Sequence, residues 1–416
     1  MDPTEARTPR PPRWLAVSIA VALVAALAVV GLTAAAAARR GAAAPSAPTT
    51  SGPVGSAAAT TASAPSTRGT PASTTPGTAG QAPACTLPPQ RTQLAQLVIV
   101  GFPGTRPGAG NLRLVRQGVG GLILFGRNVV SGPQVRSLVS GLQAAASIPL
   151  EIGVDQEPGT RVARLEGIVP PSPSARALGR MPPAAVRRYA ERMARAMAAL
   201  GVTTDFAPDL DVTWTSGDVI GDRSFSGDPA VAGRAGVAFL RGLQAGGVTP
   251  VGKHFPGHGE STTDSHQALP VVRSSLARLR ARALPPFRQA ADAGLPGVMV
   301  GHLLVTAVDP DRPASLSPVV IGRLLRQEVG FRGLVVTDAL EMGAIVRSRG
   351  LPEAAELAVA AGSDQVLIGA GYGSVTAVID RLERAVAAGR LPRARVREAF
   401  LRVERFKGQH RWDGCG

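Results

Sequence analysis

Eight short apolar runs recur between residues 97 and 368, at 97–100, 121–125, 150–154, 202–206, 247–252, 297–300, 333–336 and 365–368. Helix-patterned stretches fall between them, at 133–146, 183–200, 229–245, 275–293, 318–329, 352–361 and 374–388, several with proline in the first turn. A strand that feeds a helix and then another strand must cross over, so this alternation predicts a parallel sheet covered by helices. Eight such units in one stretch predict an α/β fold, a single-domain (β/α)8 barrel of the TIM type. A doubly wound open sheet shares the alternation and is the structural alternative.

The polar residues just beyond the runs sharpen that expectation. Arg127-Asn128 comes after the second run, Asp155-Gln156-Glu157 after the third, Asp209 and Asp211 after the fourth, Lys253-His254 after the fifth, His302 after the sixth and Asp338 after the seventh. In a closed barrel the C-terminal strand ends share one face, so these polar groups would meet in one pocket. Taken singly, Asp209 and Asp228 read as capping or loop-stabilising residues. Asp155, Lys253, His266 and Asp338, taken together with the segment from 253 to 266, read as a site.

That segment runs Lys253-His254-Phe255-Pro256-Gly257-His258-Gly259-Glu260-Ser261-Thr262-Thr263-Asp264-Ser265-His266. It holds three of the chain's five histidines and one of its two lysines, while arginine supplies nearly all other positive charge. Lysine and histidine leaving an apolar run and entering a Pro/Gly-rich loop predict an active-site loop able to move protons. Residues 247–254 approach a phosphate-loop pattern, but His254 stands where Ser or Thr should be and Pro250 interrupts it.

The net charge of +16 raises the question of nucleic acid, yet aromatics are only 4% and the arginines are scattered rather than clustered. No nucleic-acid partner is expected. From Trp14 to Ala38 the chain is apolar, with Arg7, Arg10 and Arg13 before it and Arg39-Arg40 after it. This suits an uncleaved membrane anchor, or a signal segment cut near the alanines at 34–38; either exports the rest. Residues 41–84 are almost wholly Ala, Pro, Ser, Thr and Gly, with Arg68 the one charge. Such a stretch cannot bury enough apolar surface to fold, and reads as a disordered linker spanning roughly 35 to 40 Å. The expected organisation is therefore 1–40 tail and anchor, 41–84 linker and 85–416 catalytic barrel, with an extracytoplasmic location, membrane-anchored or secreted.

The chain's only cysteines, Cys85 and Cys415, sit at the two ends of the globular part. In an exported protein that placement suggests a disulfide; two unpaired thiols at frayed ends are the alternative.

The block Lys253 to Gly259 followed by Asp264-Ser265-His266 resembles the signature of bacterial β-N-acetylglucosaminidases of glycoside hydrolase family 3. Gly121 to Asn128, Asp155-Gln156-Glu157, Asp205-Phe206-Ala207-Pro208 and Gly333 to Asp338 resemble further blocks of that family, in its order. The resemblance covers about residues 92 to 405. It implies a retaining exo-hydrolase acting on terminal β-linked N-acetylglucosamine of peptidoglycan-derived fragments, with no cofactor and no metal. By matching position, Asp338 would be the nucleophile, His266 the general acid/base and Asp264 its partner. Asp155, Arg164, Arg223, Lys253 and His254 would hold the sugar. A carboxylate two residues from a histidine makes chemical sense, because it can fix the ring tautomer and stabilise the imidazolium.

One block departs from the family pattern. Where relatives read Asp-x-Glu-Gly-Gly-Arg-Val-x-Arg, this chain reads Asp155-Gln156-Glu157-Pro158-Gly159-Thr160-Arg161-Val162-Ala163-Arg164, with a proline substituted and a residue added. The loop is reshaped, and the place of Arg164 as a sugar contact is the expectation it most affects. Three other readings compete with the hexosaminidase: a β-glucosidase-type member, a non-catalytic wall-binding module, and a metal-dependent hydrolase using His254, His258, His266 and Asp264. The last leaves Lys253 and Asp338 without roles. The expected partners are an amino-sugar or muropeptide substrate and the membrane, with the protein itself a monomer.

Overall fold

The computed structural model describes residues 85–214 and 217–415. The apolar segment at 14–38 and the linker at 41–84 lie outside the described residues. Among the described residues no helix is long and apolar enough to cross a membrane.

Among the described residues ten strands form, in chain order: β1 (Val98–Gly101), β2 (Gly121–Leu124), β3 (Glu151–Val154), β4 (Thr204–Asp205), β5 (Thr249–Phe255), β6 (Val271–Val272), β7 (Gly297–Val300), β8 (Leu304–Val305), β9 (Leu334–Ala339) and β10 (Gln365–Ile368). Eight close into a barrel in the order β1-β10-β9-β7-β5-β4-β3-β2, with every neighbouring pair parallel. Each of the eight apolar runs supplies one barrel strand, so closure decides against the open sheet. The remaining two, β6 and β8, pair with each other outside the barrel, at the end of the segment that leaves β5.

The barrel interior is a packed layer of Ile99, Ile123, Phe206, Val251, Met299, Val336 and Leu367. Strand β3 contributes a glycine instead: a Cβ on Gly153 would lie 2.8 Å from the Phe206 ring, so the missing side chain is what admits the phenyl group. Helices cover the outside, with Pro183–Ala198 against Pro229–Ala245 and the latter against Leu284–Asp292. Their starts come from local chemistry. Proline sits in the first turn of each, and Asp228 caps Pro229–Ala245 by accepting from Ala230 N at 2.7 Å and Val231 N at 3.2 Å. The capping role read for Asp228 is what the structure shows.

Three local differences from the sequence reading stand out. Strand β5 runs on through Phe255, so Lys253 and His254 lie on the strand end rather than in a loop. Polar side chains are tolerated there because charged partners stand at the end of β3, one strand beyond the adjoining β4, with Asp155 and Glu157 both meeting Lys253. The stretch 275–293 is two helices, Leu276–Arg282 and Leu284–Asp292, because Pro285 and Pro286 lack the amide protons a continuous helix needs. Helices Ala109–Arg116 and Arg393–Phe406 are additional to those the pattern predicts; the second is rich in arginine, which masks its apolar stripe of Val396, Phe400 and Val403.

Cys85 and Cys415 are joined as a disulfide, with their Cα atoms 5.4 Å apart across 330 residues of chain. Beside it Trp412 packs on Phe400, ring centroids 5.0 Å apart.

Candidate active site

The C-terminal strand ends surround a cavity of about 210 Å³ lined by Asp155, Arg161, Arg164, Arg223, Lys253, His254, His258, Asp264, His266, Met299 and Asp338, among others. Every candidate catalytic or sugar-binding residue read from the sequence is in that wall. A wider depression of about 500 Å³ lies elsewhere, between Leu276, Arg280, Val319, Leu324 and Glu328. Its acid, Glu328, is held by Arg280 with two 2.8 Å bonds, which leaves Arg323 as the other charged group of its wall.

The floor of the cavity is a charged cluster. Lys253, whose side chain is 2% exposed, donates to Asp155 and lies 2.7 Å from Glu157 Oε1. Glu157 also takes Arg223 Nε at 2.8 Å and Nη2 at 2.7 Å. Burial alone would drive the Glu157 carboxyl upward, but Lys253 and Arg223 outweigh it and hold the group far below the usual carboxylate range. Burial likewise opposes charge on Lys253, and Asp155 and Glu157 overcome it, so the ammonium stays protonated. Fixed donors and acceptors on strand ends suit a polyhydroxylated ring, whose oxygens both accept and donate.

Beneath this cluster lie two more acids. Asp209 Oδ1 accepts from Asp211 N at 2.9 Å, while its Oδ2 is buried without a hydrogen-bond partner, 3.5 Å from Arg223 Nη2. Burial and the Asp211 charge raise Asp209 to about 8, which leaves it neutral at physiological pH. Asp211 Oδ2 lies 2.8 Å from His254 Nδ1, and its Oδ1 accepts from His258 N at 2.6 Å. With Nδ1–H donating to Asp211, the tautomer assigned by this network leaves His254 Nε2 as the ring's acceptor in the cavity wall. Burial lowers His254 and keeps it neutral.

Asp338 is the penultimate residue of β9, where its Oδ1 accepts from Ala339 N at 2.8 Å. It is half-buried, and the loss of solvent would raise it, but His302, His254, the Ala339 amide and Lys253 together bring it below the ordinary carboxylate value. The carboxylate is therefore ionised and lightly solvated, as a nucleophile needs to be. His302 is buried behind it, Nδ1 2.7 Å from Ser315 Oγ and Nε2 2.9 Å from the Ala339 carbonyl. Across the cavity, Asp264 Oδ1 accepts from His266 N at 2.9 Å and lies 2.8 Å from His266 Nδ1. Slight burial opposes ionisation of Asp264, and the two His266 bonds reverse that, lowering it overall. The His266 side chain is 76% exposed, free to reach a bound glycoside.

The set weighed for a metal, His254, His258, His266 and Asp264, does not come together as ligands. Among the described residues the atoms within 4.8 Å of one another belong to Asp209, Asp211 and His254. Two of those three are already hydrogen-bonded to each other.

Residues 90–406 match the model of the glycosyl hydrolase family 3 N-terminal domain. The chain belongs to glycosyl hydrolase family 3. It is 39% identical over 335 residues to the β-hexosaminidase LpqI of Mycobacterium tuberculosis, covering 78% of this chain and 84% of that protein. It is 39% identical over 293 residues to the β-hexosaminidase of Alkalilimnicola ehrlichii, covering 68% and 84%. Among solved structures it resembles a family 3 β-N-acetylglucosaminidase from Paenibacillus sp. str. FPU-7, with a TM-score of 0.75 and 39% identity, covering 78% of this chain and 63% of that longer one. A glycosyl hydrolase of the same family from Mycobacterium smegmatis gives a TM-score of 0.71 at 40% identity, covering 76% and 97%.

Against the family 3 pattern, the reshaped loop keeps its arginine in place. Arg164 lines the cavity, its guanidinium carbon 5.8 Å from the Phe125 ring centroid and its Nε buried without a partner. The added length is held by Arg161, which donates to Ile220 O at 2.9 Å and Val219 O at 3.3 Å and so ties this loop to the one carrying Arg223. Glu157, Asp209 and Asp211 are among the strand-end polar groups expected to meet in the pocket but carry no expected role there, and Arg161 is not read as a site residue. For Asp211 the available signal is its place just beyond the fourth strand; for Glu157 it is the same place beyond the third.

Proposed function

We propose that this protein is a retaining exo-β-N-acetylglucosaminidase, with Asp338 as nucleophile and the Asp264–His266 pair as acid/base. The observation that carries the reading is one cavity lined both by a half-buried Asp338, whose carboxyl is held below its ordinary value, and by an exposed histidine backed by a carboxylate. The β-hexosaminidases it is similar to support the same reaction and the same sugar.

In the first step Asp338 attacks the anomeric carbon while His266 gives its proton to the departing glycosidic oxygen, forming a covalent glycosyl-enzyme. In the second step His266 takes a proton from water, which attacks the same carbon and releases Asp338. Asp264 holds Nδ1 throughout, so the exchanging proton is carried on Nε2. Asp155, Lys253, Arg223, Arg164 and His254 hold the non-reducing sugar. The further reading is that the substrates are peptidoglycan-derived fragments met outside the cytoplasm. The apolar segment at 14–38, the linker behind it and the Cys85–Cys415 disulfide support that location. We take the protein to act as an anchored or secreted monomer.

The test is release of p-nitrophenol from its β-N-acetylglucosaminide and its β-glucoside by wild type, Asp338→Ala and His266→Ala. Activity on the first substrate alone is expected. It should be lost by at least about 10³-fold in Asp338→Ala and reduced about 10² to 10⁴-fold in His266→Ala. Preference for the glucoside would move the substrate class, and binding of muropeptide without cleavage would make the protein a wall-binding module. Proton NMR should show β-anomer first; early α-anomer would remove the nucleophile role.

A further inference from the structure

The Asp264–His266 bonds are internal to their own loop, so they do not decide where the histidine sits relative to Asp338. That position is set elsewhere. The backbone amides of Gly343 and Ala344 donate to the carbonyls of His266 and Ser265, at 3.2 and 3.1 Å. Gly343 begins the short helix Gly343–Val346, five residues beyond Asp338 on the same chain segment. The connection back to the nucleophile is itself tied down: Met342 N donates to Ala339 O at 3.0 Å, and His302 Nε2 donates to that same carbonyl at 2.9 Å.

The approach of the two segments depends on the absence of a side chain. A Cβ on Gly343 would stand 2.7 Å from the His266 carbonyl oxygen and 2.8 Å from that of Gln267, distances that real Cβ atoms do not adopt. Gly343 is not among the positive-φ glycines. Its backbone would accept alanine, and alanine is the better helix former. Neither turn geometry nor helix formation therefore calls for glycine here; contact with the loop does.

We propose that Gly343 is a positioning residue for catalysis, the face on which the acid/base loop docks so that His266 is held at a fixed place above Asp338. The proposal rests on the roles given above to His266 and Asp338. Substituting Gly343 leaves the barrel and the sugar-binding floor intact but pushes the loop carbonyls away, so protonation of the leaving group suffers before sugar binding does.

The experiment compares kcat/KM of the full-length protein on phenyl and 2,4-dinitrophenyl β-N-acetylglucosaminides, whose leaving groups do and do not need a proton. Wild type, Gly343→Ala and His266→Ala are measured, with hydrogen exchange on peptides covering 260–270 and β9. For Gly343→Ala the expected result is a fall of at least about tenfold on the phenyl substrate and less than about threefold on the dinitrophenyl one. Exchange should quicken in 260–270 and stay unchanged in β9. A second variant, Ala344→Pro, removes one of the two amide donors at a first-turn position that admits proline, and Gly343 without a Cβ tolerates a following proline; it should move both readouts the same way. Equal losses on the two substrates, or no loss, in whichever variant folds would overturn the proposal, provided His266→Ala discriminates between them. If His266→Ala itself does not discriminate, the acid/base assignment is what fails.

Discussion

Arg223 grips Glu157 with two parallel bonds, Nε to Oε2 at 2.8 Å and Nη2 to Oε1 at 2.7 Å. Because Lys253 Nζ lies 2.7 Å from the same carboxylate, one buried acid holds two of the cations that face the sugar. Their direction into the cavity is thus decided one layer below it.

Glu157→Gln removes the charge and leaves buried Lys253 with Asp155, and Arg223 with Asp209 Oδ2 3.5 Å away. Breaking a buried pair from one side costs about 3 to 5 kcal/mol, so urea denaturation should show a loss of that order. The same variant should lose activity through misplacement of Lys253 and Arg223. The sign with pH comes from the depressed Glu157 carboxyl. Its contribution is fully present above the ordinary value of 4.5 and is lost as pH falls through the lower folded-state value. The difference between variant and wild type should therefore be flat from pH 6 to 8 and shrink in acid.

Asp211→Asn tests the layer beneath His254. An amide nitrogen in place of Oδ2 faces His254 Nδ1 with a donor, which forces the ring proton to Nε2 and turns an acceptor in the cavity into a donor. A fall in kcat/KM on the order of 10 to 100-fold is expected, since displaced contacts away from the chemistry carry losses of that size. Asparagine keeps Oδ1, so the 2.6 Å bond from His258 N is retained and exchange at 256–260 should stay unchanged.

Most of this site is legible without coordinates because it is written at strand ends. Apolar runs locate β3, β5 and β9, and Asp155, Lys253 and Asp338 sit at or just beyond their ends. The illegible part is the second layer. Glu157 stands in the strand-end pattern, but nothing local says that it holds two cations; only the folded chain brings Arg223 across 66 residues to it. Asp209 reads as a loop residue in the sequence for the same reason, although its oxygen lies 3.5 Å from Arg223. The Gly343 contact is invisible too, since it depends on a backbone approach between segments that sequence spacing does not reveal.

Asp209 makes its own prediction. Its folded-state value is raised from 3.8 to about 8, so its favourable contribution is full below pH 3.8 and is lost as pH climbs through about 8. Asparagine imitates the neutral acid and does not titrate. Asp209→Asn should therefore gain stability relative to wild type as pH rises between those limits, and the two curves should converge in acid. Parallel pH-stability curves would show that Asp209 is ionised in the folded state.

The disulfide sits apart from the chemistry, and its removal should show that separation. Neither Cys85 nor Cys415 lines the cavity, and the bond ties the start of the barrel domain to the end of its last helix, beside Trp412. Cross-linking a loop of this length restricts the unfolded chain by roughly 6 kcal/mol at most in the chain-entropy account, with native packing reducing the realised share. Reduction, or a Cys85→Ser/Cys415→Ser variant, should lower Tm by about 4 to 8 °C in a domain this large while leaving kcat/KM at 25 °C within about twofold. Thiol titration under denaturing conditions should find no free cysteine before reduction and two after it. Two free thiols beforehand, with an unchanged Tm, would mean the bond does not form, and would take away one of the supports for an extracytoplasmic location.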